Sequence, residues 1–403
     1  MDLKSGYPFW AIRNGLMQAM PKLDTDLRCD VLVIGGGITG ALIADDLIAH
    51  GHDTVVVEQR DIAWGSTAAS TALLQYEIDT HLVDLARRYG EADAGLAYRA
   101  CGEAIDLLAE LARGVRDVDF ERTDSLYYAS RQRDVPALQD ECVARRRHGF
   151  AVDYLDRAAI RTRYGFDAPA ALLSTQAAQV DPYRFASCLL ARCVRRSGQV
   201  FDRTRIVDLQ ARSRDVLAIT DAGVAVRARH VVVAAGYASQ HWLPTRVARN
   251  RSSYAFVTDP LDDALPDLLA RTLVWETARP YLYLRTTADR RLLIGGEDDD
   301  VDVPARRDAR VDAKARRLMK RAAKLWPALD LAPTFAWAGT FAETADGLPY
   351  FGPHPATGPR IQYAMAYGGN GITYSMLGAG LLRALIERRP HPLARLFAFE
   401  RTG

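Results

Sequence analysis

Three glycines near the N-terminus have the spacing of a phosphate-binding turn. Gly35, Gly37 and Gly40 follow an apolar run and precede a stretch with helical spacing. Without side chains, these positions permit a tight turn, a close approach of the backbone to a pyrophosphate and close packing of helix on strand. The helix, starting near Ile38, would point its free N–H groups at the phosphates. The pattern therefore predicts a dinucleotide site.

The elements predicted around these glycines support that interpretation. The apolar run 30–34 is typical of a buried strand, 41–50 has the spacing of a helix, and 54–58 is a second strand. Glu58 ends the second strand, where a carboxylate would accept hydrogen bonds from ribose hydroxyls. This context favours a βαβ nucleotide-binding unit over glycines that merely mark a turn. The pattern alone does not distinguish a nicotinamide dinucleotide from FAD.

Elsewhere the sequence alternates between helical and strand patterns. Helices are expected within 82–113, over 184–196 and 314–326, and in a last apolar stretch through Ile386; strands are expected over 125–130, 230–235, 281–285 and 291–294. We therefore expect an α/β fold with an inserted α+β domain. Its parts would be an N-terminal arm (1–28), a Rossmann-like nucleotide-binding domain (29–100, 165–240 and 335–403) and a mixed, β-rich substrate domain (101–164 and 241–334).

Composition argues against several other classes of protein. The chain has 403 residues, 49% of them hydrophobic and 25% charged, which is typical of a folded protein of two or three domains. Its 52 basic and 50 acidic residues leave a net charge of +2, so no nucleic-acid partner is expected. No apolar run is long enough to span a membrane. Five cysteines without a CxxC pair suit a reducing, cytoplasmic location and predict no metal site.

Four further segments carry a resemblance to a known family. They are a hydroxyl-rich loop of small residues (61–72), a strand end at 234–236, an Asp-Gly-x-Pro turn within 346–352 and a glycine-rich turn at 368–371. Together with the N-terminal glycines, they resemble the FAD-dependent oxidoreductases of the D-amino-acid oxidase and glycine oxidase family over nearly the whole chain. The aromatic arm at 7–10 is similar to that of the γ-glutamylputrescine oxidase branch.

The resemblance implies FAD as the cofactor. Relatives of the sarcosine oxidase branch attach it through a cysteine near the C-terminal glycine motif, but the last cysteine here is Cys193, so non-covalent binding is expected. Carried over by motif, the cofactor-binding residues would be Gly35, Gly37, Ile38, Gly40, Glu58, Gln59, Arg60, Ser66, Thr67, Thr71, Ala72, Leu73, Val207, Ala235, Gly236, Gly369, Asn370, Gly371 and Ile372. The last four would direct backbone N–H groups and a helix N-terminus at the flavin N1/O2 edge.

The resemblance also implies where the substrate lies. Tyr281 and Tyr283 share one face of an alternating strand, which in the family faces the substrate over the flavin. Arg279 and Arg285 have the same parity if the strand is regular, and Phe341 would add an apolar wall. These residues are therefore the candidates for the substrate pocket. Tyrosines that face the core are the alternative.

One departure from the family bears on the substrate. In its amino-acid oxidases an Arg-Pro pair often precedes the Asp-Gly-x-Pro turn, and the arginine binds the substrate carboxylate. Phe341 and Ala342 occupy those positions here. Either Arg279 or Arg285 replaces the anchor, or the substrate is an amine with an apolar or extended tail. We favour the second interpretation, because arginines that flank a strand are often solvated.

The function implied is that of an FAD-dependent oxidoreductase. It would oxidise the C–N bond of a small amine or amino-acid-like substrate to an imine by hydride transfer to flavin N5, with O2 or another molecule as the electron acceptor. Alternatives are a dehydrogenase passing electrons to a quinone or protein, a domain acting on a modified base amine in RNA, and a binding protein without turnover. Hydride transfer requires no acid–base triad, and we single out no catalytic residue. His241 and His354 lie in segments that could border a cleft, where a structural role is the simpler expectation.

Overall fold

The computed structural model describes residues 2–261 and 265–402, so the ranges 1–28, 241–334 and 335–403 each include residues outside the described part. The helices are α1 (Phe9–Asn14), α2 (Ile38–Ala49), α3 (Ser66–Ala69), α4 (Leu82–Tyr89), α5 (Glu91–Arg113), α6 (Val135–Arg147), α7 (Arg157–Tyr164), α8 (Pro182–Arg195), α9 (Asp267–Ala270), α10 (Pro304–Asp308), α11 (Val311–Leu325) and α12 (Gly371–Ile386). Short 3-10 helices cover Gln132–Asp134, Gly236–Trp242 and Phe399–Thr402.

The strands belong to two large sheets. They are β1 (Leu27–Ile34), β2 (Thr54–Val57), β3 (Leu73–Gln75), β4 (Glu121–Tyr128), β5 (Val152–Asp156), β6 (Ala170–Gln179), β7 (Gln199–Phe201), β8 (Ile206–Ala211), β9 (Val216–Thr220), β10 (Ala225–Val233), β11 (Arg249–Pro260), β12 (Thr272–Glu276), β13 (Leu282–Thr286), β14 (Arg291–Asp299), β15 (Phe335–Glu343), β16 (Tyr350–Pro353) and β17 (Ile361–Met365).

The first sheet contains the predicted βαβ unit. Its order is β16-β17-β10-β1-β2-β7, and β1 pairs in parallel with both β2 and β10. The residues of β1 from Val31 onward are buried, as expected for a parallel strand covered on both faces. Helix α2 packs against α8 and α12 over this sheet. The prediction of a Rossmann-like nucleotide-binding unit is confirmed.

The second sheet is mixed, as predicted. Its order is β15-β11-β14-β13-β12-β4-β6-β3, with β5 paired to β6, and only β12 with β4 is parallel among its pairs of described residues. Helix α11 lies across β11, β14 and β15 and buries Ala315, Leu318 and Ala322 against them. This helix therefore has one apolar face, which is why its spacing was recognisable in the sequence.

The apolar run 230–235 predicted only part of the strand that the structure contains. The observed strand β10 begins at Ala225. Its first half alternates between buried and exposed residues and pairs with the antiparallel β9, whereas its second half is buried in the parallel core. The continuous apolar run therefore marks only the half that is covered on both faces.

The division into two domains stays a proposal. The strands β3, β6 and β15 fall within the segments 29–100, 165–240 and 335–403 that we assigned to the nucleotide-binding domain. All three pair within the second sheet. We therefore propose the same two domains with these strands on the substrate side. None of the helices in the described residues has the length and apolar character needed to cross a membrane.

Candidate cofactor and substrate cavity

A cavity of about 770 Å³ is lined by residues of both sheets. Its size lies in the upper part of the range of roughly 300–1,000 Å³ found for small-molecule sites. The glycine turn between β1 and α2 and the carboxylate of Glu58 line it at what we call the nucleotide end. Strands β12, β13, β14 and β15 contribute aromatic and acidic side chains at what we call the substrate end.

A side chain is excluded from each of the three glycine positions of the turn for a different structural reason. Gly35 has a φ of +121°, and a Cβ there would lie 2.3 Å from the carbonyl oxygen of Ala234. A Cβ on Gly40 would lie 1.9 Å from the carbonyl oxygen of Gly35, so this glycine packs the helix on the turn and does not line the cavity. A Cβ on Gly37 would meet only Thr67 Oγ1, at 3.0 Å. The backbone of Gly37 therefore lies open to the cavity, as a bound pyrophosphate requires.

The carboxylate of Glu58 is held by the backbone around it. Its Oε2 accepts a hydrogen bond from Gly36 N (2.8 Å) and its Oε1 accepts one from Arg60 N (3.0 Å). Burial raises the pKa of Glu58, while these two amides act in the opposite direction. The Thr204 N–H donates to the Glu58 carbonyl (2.7 Å). That bond places Val207, at the start of β8, beside the same end of the cavity.

The loop after β2 is fixed by donors from distant parts of the chain. The carbonyl groups of residues 69–71 accept, in order, hydrogen bonds from Trp337 Nε1 (2.9 Å), Trp10 Nε1 (2.8 Å) and Arg285 Nε (2.6 Å). We call these three side chains the loop clamp. Ser66, Thr67, Thr71, Ala72 and Leu73, all expected to border the cofactor, line the cavity on this loop.

The assignment of Arg285 to the substrate pocket is wrong. Its guanidinium is buried, does not line the cavity, and also donates to the carbonyl of Val180 (2.9 Å). Burial lowers its pKa to about 10. The loop at 69–71 covers this part of β13, so Arg285 donates a hydrogen bond to the loop and does not reach the cavity.

Arg279 also lies outside the cavity lining. The regular strand assumed over 279–285 is not present, because β13 begins only at Leu282. Arg279 is exposed and stacks on the ring of Tyr281, with 3.6 Å between the guanidinium carbon and the ring centroid. Neither candidate arginine therefore lines the place where a substrate carboxylate would bind.

The aromatic candidates do line the substrate end of the cavity. Tyr281, Tyr283 and Phe341 are all among its wall residues. The ring of Tyr283 lies against Gly295, where a Cβ would come within 2.3 Å of the ring. Sequence reasoning missed Trp275, which lines the same region from β12. The two consecutive glycines in β14 were a signal for the close approach of Tyr283, since glycine inside a strand marks such an approach, but they do not contact Trp275.

The glycine-rich turn before α12 differs in part from expectation. The Gly369 N–H, expected to face the cofactor, donates to Asp79 Oδ2 (2.8 Å). Asn370 Nδ2 donates to the carbonyl of Glu77 (2.7 Å). The first turn of α12, with Gly371 and Ile372, still lines the cavity. The helix N-terminus therefore remains available to a negatively charged group.

The sequence reasoning missed three acidic residues that line the cavity: Asp79 and Asp298 at the substrate end, and the buried Glu77, which lies 3.6 Å from Arg145. Asp79 accepts the Tyr281 hydroxyl hydrogen bond on Oδ1 (2.7 Å), besides the Gly369 amide on Oδ2. Asp298, on β14, has a buried Oδ1 without a hydrogen-bond partner in the described part of the chain. Burial raises the pKa of Asp298 to about 6. An acidic run directly after the glycine pair of β14 was the signal for it.

The two candidate histidines lie in different parts of the structure. His241 is exposed and lines the cavity. His354 lies outside the cavity and packs edge-on against Phe399. No catalytic assignment follows for either residue.

The fold and the cavity together define a class of protein, the dinucleotide-dependent oxidoreductases. The features that do so are a parallel sheet with a glycine turn, an acid after its second strand and a cavity that continues into a second sheet. Residues 30–385 match the family model described as FAD dependent oxidoreductase. The chain belongs to this family, and its cofactor is FAD. The resemblance stated from the sequence is thus confirmed.

Individual relatives agree with the family assignment. A gamma-glutamylputrescine oxidoreductase of Escherichia coli (strain K12) is 26% identical over 381 residues, which cover 91% of this chain and 85% of that protein. A glycine oxidase of Geobacillus kaustophilus (strain HTA426) is 27% identical over 374 residues, covering 90% and 94%. The crystal structure of glycine oxidase from Geobacillus kaustophilus has a similar fold, with a TM-score of 0.78 at 21% identity over 93% of this chain and 99% of that one.

The residues present fit FAD. The open backbone of Gly37 and the first turn of α2 would hold the pyrophosphate, and Glu58 would hold the ribose. Gln59, Arg60, Val207, Ala235 and Gly236 also line the cavity and would surround the adenosine half and its approach. The clamped loop and the start of α12 would border the flavin ring.

Proposed function

We propose that this protein oxidises the C–N bond of a small amine to an imine, with FAD as the hydride acceptor. The observation that carries the proposal is a single cavity that joins a dinucleotide-binding turn to a chamber of aromatic and acidic side chains. The names of the relatives, gamma-glutamylputrescine oxidoreductase and glycine oxidase, support a substrate of the amine or amino-acid type.

When bound, FAD accepts a hydride at N5 from the carbon next to the substrate nitrogen. The side chains of this chain bind and orient the substrate. The Tyr281 hydroxyl donates a hydrogen bond to Asp79 (2.7 Å), and this bond fixes the ring at the cavity wall. Trp275, Tyr283 and Phe341 supply an apolar lining that excludes water from the reacting carbon. The substrate loses a hydride and a proton, and water hydrolyses the imine to a carbonyl compound and an amine or ammonia.

An amine without a carboxylate fits the cavity better than a free amino acid. Among the described lining residues, the arginines are Arg60 and Arg205, and both adjoin Glu58 and Val207 at the nucleotide end. Phe341 stands where the amino-acid oxidases carry their anchor. A carboxylate at the substrate end would meet Asp79 and Asp298 instead of a cation, which is unfavourable.

The test is an anaerobic screen in which flavin bleaching reports substrate oxidation. We expect purified protein to be yellow, to release intact FAD on denaturation and to bleach with primary or secondary alkyl amines. Glycine, sarcosine and simple D-amino acids should bleach it slowly. Efficient turnover of those amino acids would overturn the preference, and a colourless protein that saturates with a nicotinamide dinucleotide would overturn the whole proposal.

We propose O2 as the electron acceptor, so that each imine formed is matched by one H2O2. An oxygen electrode and a peroxide assay with the best amine measure this ratio. Bleaching by amine without oxygen consumption on admission of air would point to a quinone or protein acceptor. Non-covalent binding of FAD is supported by the absence of cysteine among the described lining residues. Colour that stays with the precipitated polypeptide would contradict it.

A further inference from the structure

The substrate end of the cavity has an unbalanced charge. We call the chamber the wall formed by Asp79, Trp275, Tyr281, Tyr283, Asp298 and Phe341. Two of these side chains are carboxylates, and no lysine or arginine lines the chamber within the described residues. Buried carboxylates are normally paired, because an isolated charge in a medium of low dielectric constant is costly. The chamber therefore has the character of a site for a cation.

The two carboxylates are not equivalent. Asp79 already accepts hydrogen bonds on both oxygens, from the Tyr281 hydroxyl and the Gly369 amide. Asp298 has no such commitment on Oδ1, which is buried and without a hydrogen-bond partner among the described residues. Asp79 is thus a positioning residue for Tyr281 and the glycine turn, whereas Asp298 lines the cavity without an ion pair among the described residues and keeps its charge for a ligand.

The charged groups around Asp298 leave that oxygen unneutralised. Asp79 and Glu343 are carboxylates near it, and Arg251 is the cation near it. Arg251 instead pairs with Glu343 (2.9 Å) and with Asp300 (3.0 Å). Ser253 is a neutral polar neighbour whose hydroxyl stabilises the charged form of Asp298 and also lies 3.2 Å from the Tyr283 hydroxyl, so Asp298 has a neutral partner but no cation of its own.

Aromatic faces complete the environment that a cation prefers. Trp275 and Tyr283 line the chamber, and the ring of Trp275 is held by stacking on Tyr127 with 3.8 Å between centroids. Electron-rich rings beside a carboxylate attract alkylammonium groups through cation–π contacts as well as ion pairing. A neutral or anionic group would gain neither interaction.

We propose that Asp298 binds a second cationic nitrogen of the substrate, remote from the C–N bond that is oxidised. The substrate class is then an alkyl diamine or a longer polyamine without a free carboxylate near the charged end. The proposal rests on the proposed amine oxidation for its chemistry, but the cation site itself is a separate statement about binding.

Calorimetric titration of the FAD-loaded protein under anaerobic conditions tests the binding statement directly. Three probes share four carbon atoms and one terminal amine and differ at the distal end: 1,4-diaminobutane, butylamine and 4-aminobutanoate. A second set with 1,6-diaminohexane, hexylamine and 6-aminohexanoate extends the reach. We expect at least one diamine to bind roughly 10- to 100-fold more tightly than its monoamine, as one charge-assisted hydrogen bond allows, and the amino acids to bind most weakly.

The variant Asp298→Asn should reduce the diamine preference to about twofold or less, because it keeps the shape of the side chain and removes its charge. Asp312→Asn is the matched control. It makes the same change at an exposed position outside the cavity lining, away from the arginine that lies near Asp298, and should leave the preference intact. Asp298→Glu should retain part of it.

The possible outcomes distinguish a failure of the proposed cation site from a failure of the proposed amine oxidation. If both wild-type sets bind diamine and monoamine equally, or if Asp298→Asn retains the preference, the cation site is overturned. If the preference is present and lost in Asp298→Asn, but no amine bleaches the flavin, the site stands and the amine oxidation fails. If monoamines bleach the flavin as fast as diamines and bind as tightly, the oxidation stands and the cation site fails.

Discussion

The two ends of the cavity recognise their ligands by different means. At the nucleotide end, the main contributors are backbone groups within the short segment 35–60, with Glu58 held by two amides of its own segment. At the substrate end, the wall consists of side chains from strands β12 to β15 and from the segment after β3. Backbone recognition is encoded by a short motif, whereas side-chain recognition depends on how distant strands pack together.

The two ends also differ in charge. Arg60, Arg205 and the N-terminus of α2 lie at the nucleotide end, which suits the diphosphate of FAD. Asp79 and Asp298 lie at the substrate end. One cavity thus presents a positive region to an anionic cofactor and a negative region that suits a cationic substrate. The following predictions test this contrast.

The largest effect is expected at the glycine turn. Gly40→Val should prevent folding, because its Cβ would lie 1.9 Å from a backbone oxygen. Gly37→Val should give folded protein without FAD, since its Cβ meets only a hydroxyl at 3.0 Å while the branch enters the phosphate position. FAD content and thermal unfolding measure both, with Gly380→Ala as a control at a glycine that has open space around it. Full FAD content in Gly37→Val would place the nucleotide elsewhere.

An intermediate effect is expected at the loop clamp. Arg285→Met removes the donor to two carbonyl groups, those of Thr71 and Val180. Each buried group left without a partner costs roughly 1–3 kcal/mol, so for two groups the free energy of unfolding should fall by about 2–6 kcal/mol. Urea denaturation measures this, and the exposed Arg279→Met should change it little. Unchanged stability together with weaker carboxylate binding would instead restore Arg285 as a substrate anchor.

The smallest expected effect is that Asp298→Asn is more stable than the wild type, by an amount that depends on pH. The pKa of Asp298 is raised from 3.8 to about 6 by burial, so the folded protein holds this proton more tightly than the unfolded chain. Wild-type stability should therefore fall between about pH 4 and 6 relative to Asp298→Asn, and the difference should level off above that, at up to about 3 kcal/mol. Denaturant unfolding from pH 4 to 8 measures it, and the exposed Asp312→Asn should show no such trend. A difference that is constant with pH would refute the prediction.

Much of the nucleotide end could be predicted from sequence. Spacing alone located the βαβ unit, the glycines and Glu58, because a strand, a tight turn and a helix start are set by local backbone geometry. The alternation of Tyr281 and Tyr283 predicted that they share one face, and the resemblance implied that this face borders the substrate. Both line the cavity, although β13 begins only at Leu282. The absence of arginine at position 341 was equally visible.

Only the tertiary structure decided what the other polar side chains do. Asp79 meets the Tyr281 hydroxyl 202 residues away and the Gly369 amide 290 residues away. Arg285 shares the parity of the two tyrosines, yet the loop at 69–71 covers it and takes its hydrogen bond. No local period encodes such partners, because they follow from the packing of one sheet against the loops of the other. The sequence thus determined the glycine turn and the acid at the proposed FAD site, and the packing decided that carboxylates instead of arginines line the proposed substrate end.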